Sequence, residues 1–201
     1  MRVVQLREDD IEQAASILTS AFFTYPLWTW LFPDEAVRRE LLPSSARVTM
    51  RWGVLMGETY GTAPLTGVAV WMPPGTPADI DPDGTLTGWP AWEERAGPDV
   101  TAKMEAMATE QRAARERAHA GRAWYLPWLG VDPGAQRSGA GSALLQHIFA
   151  RTDAAALPVL LETENAENVP YYERHGFFVT HEGVIPMGGP LYWTMKRDPR
   201  H

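Results

Sequence analysis

The stretch Val131-Asp132-Pro133-Gly134-Ala135-Gln136-Arg137-Ser138-Gly139-Ala140-Gly141-Ser142-Ala143-Leu144-Leu145 sets three glycines between an apolar run and a helix-like run. Glycine is required where the backbone turns with positive φ, or where a ligand comes closer to the chain than a Cβ permits. Asp132-Pro133-Gly134 is ordinary turn chemistry, and Gly139 and Gly141 can serve simply to let a helix pack closely. A dinucleotide fingerprint fits poorly: a third glycine would fall at Leu144, and seven residues, Asp132 to Ser138, intervene before Gly139. No Gly-Lys-Ser/Thr follows, which excludes a Walker loop. The remaining reading is an anion cradle, in which consecutive backbone N–H groups and the positive end of the next helix face one diphosphate.

Working outward, the pattern predicts a strand over 123–131, a helix over 139–154, a strand over 159–163, a short helix over 169–175, and closing strands over 177–181 and 191–196. Strand and helix alternate here, which implies a parallel pair joined by a right-handed crossover. Upstream, 2–6 reads as a strand, and Asp9 or Asp10 caps an amphipathic helix carrying Ile11, Ala14, Ala15, Leu18, Ala21 and Phe22. An aromatic, proline-broken segment follows at 23–34, then a helix from 35 to about 51 and strands over 53–59 and 66–72. The Pro- and Gly-dense segment 73–98 reads as a long loop with a helical turn at 89–95. A polar helix over 100–118 follows, with Met104, Met107, Ala108 and Gln111 on one side.

At 201 residues and 45% hydrophobic, the chain is expected to form a single domain, 1–201, with a sizeable core. Cysteine is absent, which excludes disulfides, thiolate metal sites and a cysteine nucleophile; the five histidines lack metal-ligand spacing, so no metal is expected. The formal charge of −7 argues against nucleic acid as a partner and permits a cationic substrate. MRVVQLREDD lacks the order of a signal peptide, and no apolar run reaches the ~18 residues of a membrane span. A soluble, cytoplasmic protein without a membrane partner is therefore expected.

The segment Gln136-x-x-Gly139-x-Gly141 between a strand and a helix resembles the coenzyme loop of the GNAT superfamily of acyl-coenzyme A N-acyltransferases. Asn165-Ala166-Glu167-Asn168-Val169-Pro170-Tyr171-Tyr172-Glu173-Arg174-His175-Gly176-Phe177 resembles that family's second signature, an Asn followed seven residues later by Tyr and then Gly-Phe. The likeness spans nearly the whole chain. It is greatest to puromycin N-acetyltransferase-like small-molecule acetyltransferases, through AFFTYP at 21, VAVWMPP at 68, AWYLPWLGV at 123 and LLETENAENVPYYERHGF at 160. The resemblance implies an α+β (α/β/α) GNAT fold: a central mixed β-sheet, splayed between two parallel strands and flanked by helices. It implies acetyl-coenzyme A, or another acyl-coenzyme A, as co-substrate, and an amine as acceptor. Ser138 departs from the family's pattern, which often has a basic residue there.

By the same resemblance, the diphosphate falls to Gln136, Arg137, Ser138, Gly139, Ala140, Gly141 and Ser142. Main-chain groups of Leu129 and Val131 bind the pantetheine arm, and Asn165 and Asn168 complete the coenzyme site. Tyr172 matches the general acid that protonates the leaving thiolate, with Tyr171 as its packing partner. Many relatives carry a glutamate on the first splayed strand where Tyr125 stands here, so Glu162 on the facing strand is the preferred base, with Glu164 behind it; an ion pair or substrate clamp is the equal alternative for Glu162. Nine tryptophans make the chain unusually aromatic, and Tyr25, Trp28 and Trp128 are the candidates for an acceptor pocket, against a role in the core. The expected activity is transfer of an acetyl or other short acyl group to a small-molecule amine. A protein N-terminal or lysine acetyltransferase and a non-catalytic acyl-coenzyme A-binding module are the alternatives, and monomer and homodimer both remain open.

Overall fold

A computed structural model of the chain describes residues 1–56, 58–76, 81 and 83–200. Gly57, within the expected strand 53–59, and residues 77–80 and 82, within the expected loop, lie outside the described residues. The described residues build a seven-stranded mixed sheet in the order β1 (Arg2–Gln5), β2 (Thr59–Ala63), β3 (Gly67–Met72), β4 (Trp124–Val131), β5 (Val159–Thr163), β7 (Leu191–Arg197), β6 (Phe178–Val184). Neighbours pair antiparallel except β4 and β5, which run parallel. Parallel strands require a long crossover, and the helix α6 (Ala140–Ala154) lies in it, as the alternation of strand and helix predicts.

Helices cover both faces of the sheet. On β3, Val68 and Val70 pack into one cluster with α1 (Ile11–Phe22) and α3 (Glu35–Met56), while Ala69 and Trp71 join the opposite cluster with α6. All four side chains are fully buried, which is why this strand reads as a continuous apolar run. Helix α6 presents Leu144, Leu145, Ile148 and Phe149 to the sheet, an apolar stripe at helical spacing. The remaining helices are α2 (Pro26–Leu31), α4 (Trp89–Ala96), α5 (Pro98–Ala118) and α7 (Val169–Arg174); α5 packs along β7 and β6.

Two expectations are corrected. The helix expected to end near Arg51 continues through Met56, so the expected strand 53–59 is reduced to its last residue, the start of β2. Gly53 is the reason: it sits in α3 where a Cβ would collide with Thr59 Oγ1 and touch Val70, so this glycine permits close helix–sheet approach and does not mark a turn. The helical turn expected at 89–95 is the helix α4, and Pro98 opens α5 at its first turn, where a missing N–H costs nothing.

The feature that positions the site is a divergence of β4 from β5. Their ladder covers only Trp124, Tyr125 and Leu126 against Val159, Leu160 and Leu161. Val70 pairs with Trp128 but Met72 with Tyr125, so β4 carries an extra residue against β3 at Leu126-Pro127. Such a bulge bends its strand, and it accommodates a proline that lacks a ladder donor. Beyond it β4 follows β3 to Val131, β5 follows β7 to Thr163, and a wedge-shaped gap opens between them.

Candidate active site

The glycine segment closes the wide end of the gap. Asp132 Oδ1 accepts the Gly134 N–H at 2.8 Å, which sets the turn after β4. Arg137 at φ 62° and Gly139 at φ 90° are both left-handed, the backbone conformation that enters anion nests. The first helical bond of α6 is Ala143 N–H to Gly139 O, 2.9 Å; the N–H groups of Ala140, Gly141 and Ser142 precede it, and no side chain caps the helix. Gln136, Arg137, Ser138 and Gly139 are exposed, and the space where a Gly139 Cβ would stand is open. This donor set fits a diphosphate. Gly141 has a further reason to be glycine, since its Cβ would fall 2.6 Å from Tyr171 Oη.

The two tyrosines of the second signature therefore separate. Tyr171 directs its buried, unpaired phenol at Gly141, while Tyr172 lines a cavity of about 140 Å³ inside the splay. His175 Nδ1 lies 2.8 Å from Tyr171 O, and its Nε2 lies 2.9 Å from Ser142 Oγ. A carbonyl only accepts, so Nδ1 donates to Tyr171 O, and the Ser142 hydroxyl is the partner of Nε2. This histidine thus clamps α7 to the start of α6.

The small cavity draws on both faces of the sheet. Tyr172, from the layer of α6 and α7, meets Tyr125, Trp128 and Leu129 of β4, Glu162 and Glu164 of β5 and its exit, Asn168, and Met107 and Gln111 of α5. Burial, with the neighbouring Tyr171 and Glu164, raises the Tyr172 phenol above its ordinary range and keeps it neutral. Its hydroxyl has no hydrogen-bond partner among the described residues. Glu162 Oε2 accepts from Arg115 Nη1 at 2.9 Å, and Arg115 also stacks 4.2 Å from the Tyr125 ring centroid. Glu162 Oε1 is buried and unpaired; Tyr125 is near enough to influence its titration without bonding geometry. Burial raises the Glu162 carboxyl while Arg115 opposes the rise. Glu164 Oε1 accepts from Gln111 Nε2 at 2.7 Å, and burial together with the Glu162 charge pushes this carboxyl up to about 7.

The other expected residues divide by environment. Tyr25 ties the loop before α2 to the end of β5: its hydroxyl lies 2.8 Å from Thr163 Oγ1 and accepts the Glu164 N–H at 2.9 Å. Asn168 Nδ2 donates to Thr163 Oγ1 at 3.2 Å, whereas Asn165 Oδ1 caps the turn at Glu167 N–H, 3.0 Å. Trp28 is only 2% exposed, so it belongs to the core as well as to the cavity wall; its ring lies 5.7 Å from that of the half-buried Trp128. Both rings also border a second cavity of about 620 Å³, walled further by Trp52, Trp89, Met104 and Met107, with Asp81, Asp83 and Glu93 among its polar groups. Arg115, Trp52 and Trp89 carry no local signal in the sequence. Gln111 does, as a polar residue on the side of α5 that also carries Met104 and Met107.

A mixed sheet splayed between its two parallel strands and flanked by helices is the GNAT fold, and a phenol and two carboxylates lie in its gap. Residues 103–179 match the family model of the acetyltransferase (GNAT) domain. That match takes in the glycine segment and the second signature, and over those residues the chain is similar to that domain. It is similar to an uncharacterized N-acetyltransferase of Schizosaccharomyces pombe, 23% identical over 185 residues, covering 88% of this chain and 74% of that protein. Its fold is similar to the crystal structure of histone acetyltransferase HPA2 and related acetyltransferase from Corynebacterium glutamicum, with TM-score 0.68 and 20% identity over 99% of this chain and 96% of that one. It is also similar to the polyamine N-acetyltransferase of Drosophila melanogaster, with TM-score 0.65 and 15% identity over 98% of this chain and 99% of that one. Among the described residues no helix is long and apolar enough to cross a membrane, and no group of three or more His, Cys, Asp or Glu could hold a metal.

Proposed function

We propose that the protein transfers an acetyl or other short acyl group from acyl-coenzyme A to an amine of a small molecule, by direct attack in a ternary complex with Tyr172 as general acid. The observation that carries this reading is the meeting, in one cavity, of a neutral phenol from one layer and two buried carboxylates from the other. Acyl-coenzyme A supplies an activated thioester carbonyl and a thiolate leaving group. The N–H groups of Arg137 and of Gly139 to Ser142 hold its diphosphate, assisted by Gln136 and Ser138. Main-chain groups of Leu129 and Val131, no longer paired to β5, hold the pantetheine arm, with Asn165 and Asn168 beside it. Tyr172 gives its phenolic proton to the departing sulfur. A carboxylate of the Glu162 and Glu164 pair receives the proton of the amine.

The acceptor occupies the 620 Å³ cavity, whose aromatic walls suit an apolar body and whose polar groups include carboxylates that favour cations over anions. The Drosophila relative, described as forming N-acetylagmatine, supports a small cationic acceptor. The test is thiol release from acetyl-coenzyme A with tryptamine, agmatine and a lysine-bearing peptide. Turnover of a small amine above the peptide is expected, and preference for the peptide replaces this reading with a protein acetyltransferase. Tyr172→Phe should lose on the order of 10²-fold or more in kcat with coenzyme affinity unchanged, while Tyr171→Phe is milder. Equal rates for Tyr172→Phe and wild type remove Tyr172 as the acid.

A further inference from the structure

The two carboxylates at the splay have different surroundings. Glu162 is bound to a cation: Arg115 reaches its Oε2 at 2.9 Å and leaves Oε1 buried and unpaired at the cavity. Glu164 has no ion-pair partner among the described residues; the neutral amide of Gln111 orients its Oε1, and the Tyr25 hydroxyl, held by the Glu164 N–H, stands beside it. Four titratable groups face Glu164: Glu162 on β5, Tyr125 on β4, Tyr172 on α7, and Tyr25 before α2, while the Arg115 cation on α5 is bonded to Glu162. The tyrosines are held neutral by burial. One arginine thus faces two carboxylates, and the cavity carries an excess negative charge whenever both are ionised. That excess is relieved by a proton on one carboxylate or by an ammonium group between them.

Building on the amine-acceptor reading, we infer that Glu164 is the base that takes the proton of the acceptor amine, and that Glu162, anchored by Arg115, receives the acceptor's ammonium group on its free Oε1. A carboxylate paired to arginine is a poor proton acceptor, because protonation forfeits the pair; one oriented by a neutral amide loses no ion pair. The rise of the Glu164 carboxyl to about 7 agrees with this division. In the transfer, the ammonium first gives one proton to Glu164, which releases it to solvent; the neutral amine nitrogen then forms its bond to the acyl carbon as the carbon–sulfur bond breaks, its second proton passes to Glu164, and one proton passes from the Tyr172 phenol to the sulfur. Transfer of the Glu164 proton to Tyr172, directly or through solvent, restores both groups.

The experiment combines carbon NMR of protein labelled at the glutamate carboxyl carbon with the pH profile of thiol release. In wild type, one glutamate resonance is expected to titrate near neutral pH, and kcat/KM for a small amine should rise through the same range. Glu164→Gln removes both the resonance and the inflection and lowers kcat by on the order of 10²-fold. Glu162→Gln keeps both but moves them to lower pH, because the charge that raises Glu164 is gone, and it raises the acceptor KM. Loss of the neutral-range resonance in Glu162→Gln instead, or its absence from wild type, overturns the assignment, and so does an inflection retained in Glu164→Gln. If wild type acetylates no amine, the transfer reading falls on that result, and the NMR titration still decides whether Glu164 is the neutral-range proton acceptor. If Glu164→Gln does not fold, the shift of midpoint in Glu162→Gln decides.

Discussion

Arg115 reaches Glu162 at 2.9 Å, one helical turn beyond the point at which Gln111 reaches Glu164. Four residues of helix advance about 6 Å and two residues of strand about 6.6 Å, so a helix packed on the neighbouring β7 and β6 matches donors at i and i+4 to acceptors at j and j+2 reaching over from β5. The match reverses direction along the two chains, with the earlier donor on α5 serving the later glutamate.

Breaking this pair from one side should be costly. Arg115→Met leaves Glu162, whose side chain is 3% exposed, without its cation, and is expected to destabilise the fold by about 3 kcal/mol. Adding Glu162→Gln removes the orphaned charge and should recover most of that loss. Chemical denaturation of both single variants and the double variant measures the coupling; simple additivity would mean that the pair contributes no interaction of its own.

The two loop glycines should fail for different reasons. Gly139→Ala forces a side chain into φ 90° and is expected to weaken the stabilisation by acetyl-coenzyme A in a thermal-shift titration. Gly141→Ala places a Cβ against the Tyr171 hydroxyl, so its melting temperature should fall and should recover when Tyr171→Phe is added. Tyr171→Phe should rescue nothing in Gly139→Ala.

Trp28 and Trp128 should part company. Truncating the buried Trp28 to Ala is expected to cost about 3–5 kcal/mol of stability. The half-buried Trp128→Ala should lose less stability and show a raised acceptor KM with coenzyme affinity unchanged. Melting curves and acceptor kinetics on the same preparations separate packing from binding.

Stability should depend on pH through Glu164. Its folded carboxyl titrates at about 7 against an ordinary value of 4.5, so between those pH values the folded state holds a proton that the unfolded state has released. Unfolding stability therefore falls as pH rises through this window, by on the order of 2–4 kcal/mol. Glu164→Gln carries no such proton, and its melting temperature relative to wild type is expected to climb from pH 5 to pH 8. A difference that stays flat across that range would show that Glu164 titrates alike in both states.

What the sequence determined by itself is what short-range rules govern. The residues of β5 and the extent of α6 follow from apolar periodicity and the preceding glycine, and the anion nest follows from turn chemistry within one short segment. Two signatures in the second half of the chain marked the superfamily and the splay. Tertiary structure alone decided the rest. Gln111 and Glu164 are 53 residues apart, Arg115 and Glu162 are 47 apart, and nothing local to α5 says that its side chains will reach these glutamates. Gly53 reads as the start of a strand until α3 is seen pressed on Thr59 and Val70. Of two adjacent tyrosines, one turns to Gly141 and the other to the cavity, because consecutive residues on a helix point about 100° apart and only docked neighbours define which direction is the site. The balance between Glu162 and Glu164 was unreadable for the same reason, since a buried carboxylate takes its proton affinity from groups that only the folded chain brings near.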